Sequence, residues 1–393
     1  MGNVIVIILL VYLSILFLIA NYAERKFKEQ KYLLHPSLIY ALSITVYCTA
    51  WTFFGSIGTA SKTGIGFLPT YLGPTLFMPI IGIVLLKIIR ISKSQHITSI
   101  ADFISSRYGK NIALGMLVAF FCVVGIIPYI AIQLKAISTC IQLLSVAGNQ
   151  QHLLLFDSTF MITMLLAFFI IIYGLRNIDT TERHTGIVTA IAFESIVKLV
   201  AFLVAGIYIV YFLFNGVGDI FNQASKQTAL ADLFQLPKNY NPFSWFLMLL
   251  VSGLAIILLP RQFQVAVVEN TDENHLKKTM WMFPLYLFLI NIFVLPIAIA
   301  GKLLLTSNTD ADMFLLSLPL FKNQMTIGYI VFIGGFSAAT SMLIVETIAL
   351  TNMISNNIIV PLILDTPSQH KISSQYLNKI IILSRRFGVF VIL

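Results

Sequence analysis

The sequence predicts an all-α integral membrane protein, and three observations predict it. Of its 393 residues, 58% are hydrophobic and only 10% are charged, whereas a soluble chain carries about 25% charged residues. Apolar stretches of about 20 residues, the length that spans a bilayer, recur along the chain. Most lysines and arginines lie in alternate loops between these stretches, as the positive-inside rule describes. Soluble enzymes and disordered chains are therefore excluded.

Nine apolar stretches have the length of a transmembrane helix. They cover residues 3–21, 37–58, 67–91, 112–145, 158–175, 186–214, 243–260, 282–305 and 325–348. The first is predicted to be retained, because neither a basic n-region nor a small-residue cleavage site flanks it. A tenth stretch, 353–364, either continues the ninth helix or forms a separate half-span. An eleventh begins at Phe387.

The net charge of +9 is carried by short loops and not by one face of a soluble fold, so a nucleic-acid partner is not expected. The loop containing Arg25 and Lys26 and the loop containing Arg385 and Arg386 belong to the basic set. Because basic loops remain cytoplasmic, the N-terminus is predicted to lie outside. The predicted location is the bacterial inner membrane, with lipid around the helices.

Four ionisable residues lie within apolar stretches. Placing a charged side chain in the middle of a membrane helix costs at least about 2.5 kcal/mol. Glu194 and Lys198 are four residues apart, in the favourable order for a helical ion pair. They form either a structural pair or part of a substrate or proton path. Glu346 is expected to reach the cytoplasmic interface. The fourth, Lys135, follows Tyr129 and Gln133.

Tyr129 and Gln133 share one face of the fourth helix, because residues four apart are neighbours on a helix surface. They are predicted either to line a cavity or to make hydrogen bonds between helices. The second helix is richer still in polar groups, with hydroxyls at Thr45, Tyr47 and Thr49 followed by glycines. Such a segment fits a broken helix beside a binding site, although small residues also serve helix packing.

The ninth helix repeats this pattern with glycines, alanines and hydroxyls at residues 334–341. Two polar, glycine-bearing helices in an apolar chain are typical of a transporter site. The histidines show no metal-ligand spacing, and no cofactor is predicted.

Several runs give the chain a family resemblance. They include YALSITVYCTAWTFFGS at 40–56, FLPTYLGP at 67–74, LPRQF at 259–263 and GGFSAAT at 334–340. The chain resembles the sodium:solute symporter family, and more narrowly the membrane input domain of CbrA-like bacterial sensor histidine kinases. The resemblance extends from about residue 37 to the end of the chain.

The resemblance implies a LeuT-type fold, in which two inverted five-helix repeats surround a central site behind an extra N-terminal helix. Residues 1–34 would form that helix and a basic linker, and residues 35–240 the first repeat. Residues 241–393 would form the second repeat, which is incomplete at its C-terminus.

The resemblance also implies site residues. A coupling-ion site would use Thr45, Tyr47, Cys48, Gly334, Ser337, Ala338, Thr340 and Ser341. Tyr47 stands where proline-type symporters have a sodium-linked aspartate, and Ala338 replaces one of two paired hydroxyls. Proton coupling or no coupling therefore competes with Na⁺. Apart from the resemblance, the chemistry of five side chains would suit the amino and carboxylate ends of a zwitterionic substrate: Thr49, Trp51, Tyr129, Gln133 and Lys135.

The function predicted first is the input domain of a two-component sensor kinase that binds an amino acid or another small solute. It would reach a response regulator through further C-terminal domains. The alternatives are a stand-alone cation-coupled symporter and a transport-dead receptor. No enzyme activity is expected of these residues, because a kinase domain needs at least about 100 residues of soluble chain and the cytoplasmic loops are short.

Overall fold

The computed structural model describes residues 2–29, 34–147, 158–173, 184–227, 230, 233, 241–364 and 374–393. Over these residues the protein is helical and contains no β-strand. Large apolar side chains lie on the outside of the bundle, and Phe212 and Trp281 are 76% and 82% exposed. An apolar outer surface of this kind is suited to lipid, so the chain is a multi-pass membrane protein.

The N-terminal half contains nine helices in the described residues, and two of them carry a π-helical turn. Their bounds are α1 Gly2–Lys28, α2 Pro36–Ile44, α3 Ser56–Thr63, α4 Pro69–Ser94, α5 Ile100–Arg107, α6 Ile112–Ala147, α7 Ser158–Tyr173, α8 Thr185–Tyr208 and α9 Val217–Ser225. A 3-10 turn, Thr45–Tyr47, extends α2. The π turns Trp51–Gly55 and Ile209–Leu213 precede α3 and follow α8.

The C-terminal half adds eight helices in the described residues. They are α10 Pro242–Leu258, α11 Pro260–Phe263, α12 His275–Asn291, α13 Val294–Leu304, α14 Phe314–Phe321, α15 Met325–Met353, α16 Val360–Leu364 and α17 Ser374–Ile392. The π turns Gln264–Val268 and Ile354–Ile359 extend α11 and α15.

Six helices of the described residues are long and apolar enough to cross a membrane, and two bent helix pairs raise the number to eight. Within the described residues, the predicted stretch 158–175 is helical as α7 from Ser158 to Tyr173 and contains a shorter apolar helix, Thr163–Ile172, which is not counted among these six to eight spans. Residues 353–364 continue the ninth helix, since Met325–Ile363 forms one span.

Two predicted boundaries were wrong. The span expected at 282–305 begins at His275 and is interrupted between Asn291 and Val294. The last helix begins at Ser374 and not at Phe387. In both cases the first turns are polar, so a search for apolar stretches misses them even though the backbone is helical.

The centre of the bundle is α15, which packs against α6 and α8 and is almost wholly buried from Gly334 to Leu350. Its close contacts with the π turn Trp51–Gly55 and with α8 depend on glycine. A Cβ atom on Gly335 would lie 2.3 Å from the Phe54 ring, and one on Gly334 would lie 2.4 Å from the Ala201 methyl group. The predicted glycines of the ninth helix therefore serve packing.

Gly335→Ala is expected to lower the free energy of unfolding by about 1–3 kcal/mol, the usual cost of overpacking a core. The Phe54 ring is buried and lies edge-on to Phe53 at 4.8 Å, so it has little room to move. Thermal unfolding in detergent measures the effect. Gly218→Ala is the matched control, because a Cβ there meets nothing within 4 Å. Equal unfolding temperatures for the two variants would contradict the packing role.

Candidate functional site

The second predicted span is a broken helix. The segments Pro36–Tyr47 and Trp51–Phe67 meet at an angle of 66°, and Cys48 between them has an extended backbone with φ −81° and ψ 102°. A break in a membrane helix frees backbone groups that need other partners. Of the two alternatives for this segment, a broken helix and ordinary helix packing, the structure shows the broken helix.

Side chains of α6 supply hydrogen-bond partners to residues at the break. Gln133 Oε1 accepts a hydrogen bond from the backbone N–H of Ala50 at 2.9 Å, and the hydroxyls of Thr49 and Tyr129 lie 2.7 Å apart. The Thr49 hydroxyl oxygen also accepts from the backbone N–H of Trp51 at 3.3 Å. Gln133 thus makes the predicted interhelical hydrogen bond, while Tyr129 both makes one and faces a cavity.

A second broken helix faces the first. Pro242–Leu258 and Pro260–Val268 meet at 50°, where Leu259 is extended with ψ 133°. A residue before proline is driven out of the helical region by contact with the proline ring. Hydropathy predicts one uninterrupted span over 243–260 and does not reveal this break. The Leu259–Pro260 step was the available signal.

The two breaks open onto one cavity of about 800 Å³. The Trp51 and Tyr71 rings stack at 6.4 Å and form part of its wall. Tyr47 also lines the cavity, and its hydroxyl donates to the Ser252 carbonyl at 3.1 Å. Tyr47 is therefore placed at the cavity wall, where its hydroxyl contacts α10.

Arg261 lies at the edge of this cavity and was not among the predicted site residues. Its guanidinium Nη1 is 2.8 Å from Glu346 Oε2, and its Cζ lies 5.1 Å from the centre of the Tyr129 ring. Both partners of the ion pair are buried. Glu346 therefore does not reach the membrane interface as expected, because Arg261 holds it inside the bundle.

Glu194 and Lys198 are both fully buried, but they do not form the predicted direct ion pair, since the structure records no contact within 4.0 Å between these two described residues. Lys198 Nζ donates to the carbonyl oxygens of Thr45 and Cys48. Glu194 Oε1 accepts from the Thr340 hydroxyl at 2.5 Å, and the Glu194 carbonyl accepts from the Ser337 hydroxyl at 2.8 Å.

The remaining predicted residues are placed apart from the cavity. Ser341 donates to the carbonyl of Ala338 on its own helix at 3.2 Å. Lys135 is exposed on α6 and does not line the cavity that Tyr129 and Trp51 share. The structure thus brings Tyr47, Trp51 and Tyr129 together with Arg261, and leaves Lys135 outside this group.

Two broken helices that meet at a cavity inside an apolar bundle define a multi-pass membrane protein with a symporter fold. A solved structure has this fold, that of a Na⁺-coupled sialic acid symporter in a substrate-bound outward-open state. Its TM-score is 0.68 at 16% identity, covering 98% of this chain and 80% of that one. The predicted LeuT-type, all-α membrane fold is confirmed.

In sequence, the chain is similar to the uncharacterized symporter YhjB of Bacillus subtilis (strain 168), with 26% identity over 277 residues, or 69% of this chain. The match spans about half of that relative, 53% of its length. No family model matches the chain. Both similar proteins are named as symporters. Neither is described as a kinase, so the narrower resemblance to sensor histidine kinases gains no support from them.

Proposed function

We propose that this chain forms the solute-binding and translocation core of a cation-coupled secondary transporter. The observation that carries the proposal is the meeting of two helix breaks, near Cys48 and at Leu259, on one cavity. Discontinuous helices at the centre of a bundle supply backbone groups to a substrate and allow one half of the protein to move against the other.

The cavity supports an amino-acid-like solute. Its volume of about 800 Å³ falls within the range of small-molecule sites. Trp51, Tyr71 and Tyr129 offer aromatic faces to the apolar part of the solute. Arg261 is the cation on the cavity wall within the described residues, and its planar donors fit a carboxylate.

The transporter proposal is favoured over the sensor-kinase input domain because the similar proteins are symporters. Four expectations remain predictions: a response regulator as partner, location in the inner membrane, an N-terminus on the outside, and a division into repeats at 35–240 and 241–393. In either case the residues of this chain would bind the solute.

Trp51→Ala tests the role of the cavity. We expect uptake of radiolabelled amino acids by reconstituted vesicles to fall about tenfold, because an aromatic contact contributes about 0.5–1.5 kcal/mol beyond its buried area and about 1.4 kcal/mol is a tenfold change. A panel of the common amino acids, assayed one by one, also identifies the solute.

The matched control is Trp281→Ala, which removes an indole that is 82% exposed on the outside of the bundle. Its uptake is expected to equal that of the wild type. If the wild-type protein takes up no member of the panel, or if both variants are equally active, the cavity is not the transport site for this class of solute.

A further inference from the structure

A second cavity, of about 410 Å³, lies at the end of the bundle where α1 ends and where α2, α8 and α12 begin. Among the described residues, it shares no lining residue with the cavity between the two breaks. On the first broken helix, Tyr40 lines the second cavity and Tyr47 lines the first, a separation of about 10 Å along a helix. The second cavity is therefore a separate space, and its volume also falls within the range of small-molecule sites.

One wall of this cavity carries a positive charge. Lys26, in the last turns of α1, lines it. The Lys26 Nζ atom is 2.9 Å from Glu29 Oε2, and both side chains are partly exposed. Surface pairs of this kind contribute little stability, and an ammonium has three donors. Lys26 can therefore bind a further anion at the cavity wall.

Another wall carries a negative charge. Asp272, between the second broken helix and α12, lines the cavity and is exposed. Within the described residues, both recorded hydrogen bonds to its carboxylate go to Oδ1, from the backbone N–H of Asn274 at 2.9 Å and from its Nδ2 at 3.1 Å. The backbone bond from Asn274 lowers the pKa of Asp272, so this carboxylate is charged at neutral pH.

Glu269 also lines the cavity, but it is less suited to bind a cation. Its carboxylate already accepts three hydrogen bonds, from His184 and Gln264. Asp272 is therefore the carboxylate of this wall that can receive an ammonium group.

The rest of the lining is mainly apolar, with a few hydroxyls. The apolar part consists of Ala23, Phe27, Pro36, Ile39, Tyr40 and Val188. Hydroxyls come from Thr185, Thr189 and Thr271. A ligand that matches this lining has one anionic group, one ammonium group and a short apolar body. An amino acid with an apolar side chain has this composition.

We propose that this cavity is a second binding site, which takes a free zwitterionic amino acid with an apolar side chain. Lys26 binds the carboxylate of the ligand, and Asp272 binds its ammonium group. The proposal goes beyond the transport function, because binding here needs no translocation. Asp272 is exposed, so a ligand reaches the site without passing through the cavity between the breaks. The bound amino acid joins α1 to the segment before α12, across the first turns of α2.

The first test is equilibrium binding of radiolabelled L-leucine to purified protein in nanodiscs of phosphatidylglycerol, a lipid without an ammonium group. We expect a saturable component whose Kd rises about fivefold in Asp272→Asn and in Lys26→Gln, the size expected for an ion pair at a partly exposed position. Glu273→Gln and Arg25→Gln are the matched controls. They remove neighbouring charges that do not line the cavity, and they should leave this Kd unchanged.

Trp51→Ala separates this site from the transport cavity. It should weaken any leucine binding between the two breaks and leave the component at Lys26 and Asp272 unchanged. If the transport proposal fails, that component is still expected. If the proposal for the second cavity fails, the binding that remains depends on Trp51 and not on Asp272.

The second test changes the ligand and uses the wild-type protein. Isocaproate is leucine without its ammonium group, and isoamylamine is leucine without its carboxylate. Each should displace leucine from this component at least about fivefold less effectively than leucine itself. Asp272→Asn should leave the displacement by isocaproate unchanged, because isocaproate has no ammonium group to lose a partner. A change in the shape of the cavity would instead weaken all three ligands.

Two results would overturn the inference. One is a Kd for leucine that is the same in the wild type, Asp272→Asn and Lys26→Gln, which includes the case in which all saturable binding depends on Trp51. The other is displacement by isoamylamine or isocaproate that equals displacement by leucine, since the site would then not recognise both ends of a zwitterion.

Discussion

Glu346→Leu is expected to lower the free energy of unfolding by about 3–5 kcal/mol, the cost of removing one partner of a buried ion pair. Arg261 would remain 3% exposed with no carboxylate at its Nη1 atom, where Glu346 Oε2 now lies at 2.8 Å. Arginine cannot lose its charge to escape this penalty. Thermal and denaturant unfolding in detergent micelles measure the loss.

Two controls separate a stranded charge from a general packing defect. The double variant Arg261→Met/Glu346→Leu is expected to recover most of the stability, because a well-packed apolar pair can replace a buried ion pair at little cost. Arg90→Ala breaks the surface pair with Glu273, in which Arg90 is 61% exposed, and should cost less than about 1 kcal/mol. A single variant as stable as Arg90→Ala would contradict the role given to Glu346.

The positions of most spans could be predicted from the sequence, because hydropathy reports what a bilayer selects. The first broken helix was one of two alternatives that the sequence left open, since the hydroxyls and glycines concentrated between Thr45 and Gly58 suit either a break or close helix packing. The second break could not be predicted, because Leu259 and Pro260 end an apolar stretch that has the composition of an ordinary span. Only the backbone restriction before a proline marks it.

The spacing of residues along the sequence does not identify the partners of the buried charges. Arg261 and Glu346 are 85 residues apart, so no helical repeat relates them. Glu194 and Lys198 have the spacing of an ion pair, yet Lys198 binds the carbonyls of the broken helix and Glu194 binds the hydroxyl of Thr340. In an isolated helix, Glu194 and Lys198 can pair only with each other. In the folded bundle, the broken helix has freed carbonyl oxygens that need a hydrogen-bond donor, and Lys198 supplies it.

Glu269, just after the second broken helix, gives the other large expected effect. Its carboxylate accepts three hydrogen bonds, from the backbone N–H and ring Nδ1 of His184 and from Gln264 Nε2, at 2.8–3.0 Å. Glu269→Gln is expected to cost on the order of 2 kcal/mol, because bonds to a charged group are worth about 1.5–3 kcal/mol each and the amide can keep only some of them. Unfolding at neutral pH measures this cost.

The same residue predicts a pH dependence of stability. Burial raises the pKa of the Glu269 carboxyl, but the charge and hydrogen bonds of His184 and the bond from Gln264 outweigh it, so the pKa lies below its usual value. The unfolded chain therefore binds this proton first as pH falls, and the stabilisation is complete above the ordinary value of about 4.3. It is lost as pH falls through the lower pKa of the folded protein.

An acid titration of the unfolding temperature separates this carboxylate from the others. From about pH 6 to about pH 3, the wild type should lose more stability than Glu269→Gln, because the variant has no proton to take up at this position. Glu273→Gln, at the partly exposed surface pair with Arg90, should follow the wild-type curve. Parallel curves for the wild type and Glu269→Gln would show that the junction between α8 and the second broken helix does not depend on the charge of Glu269.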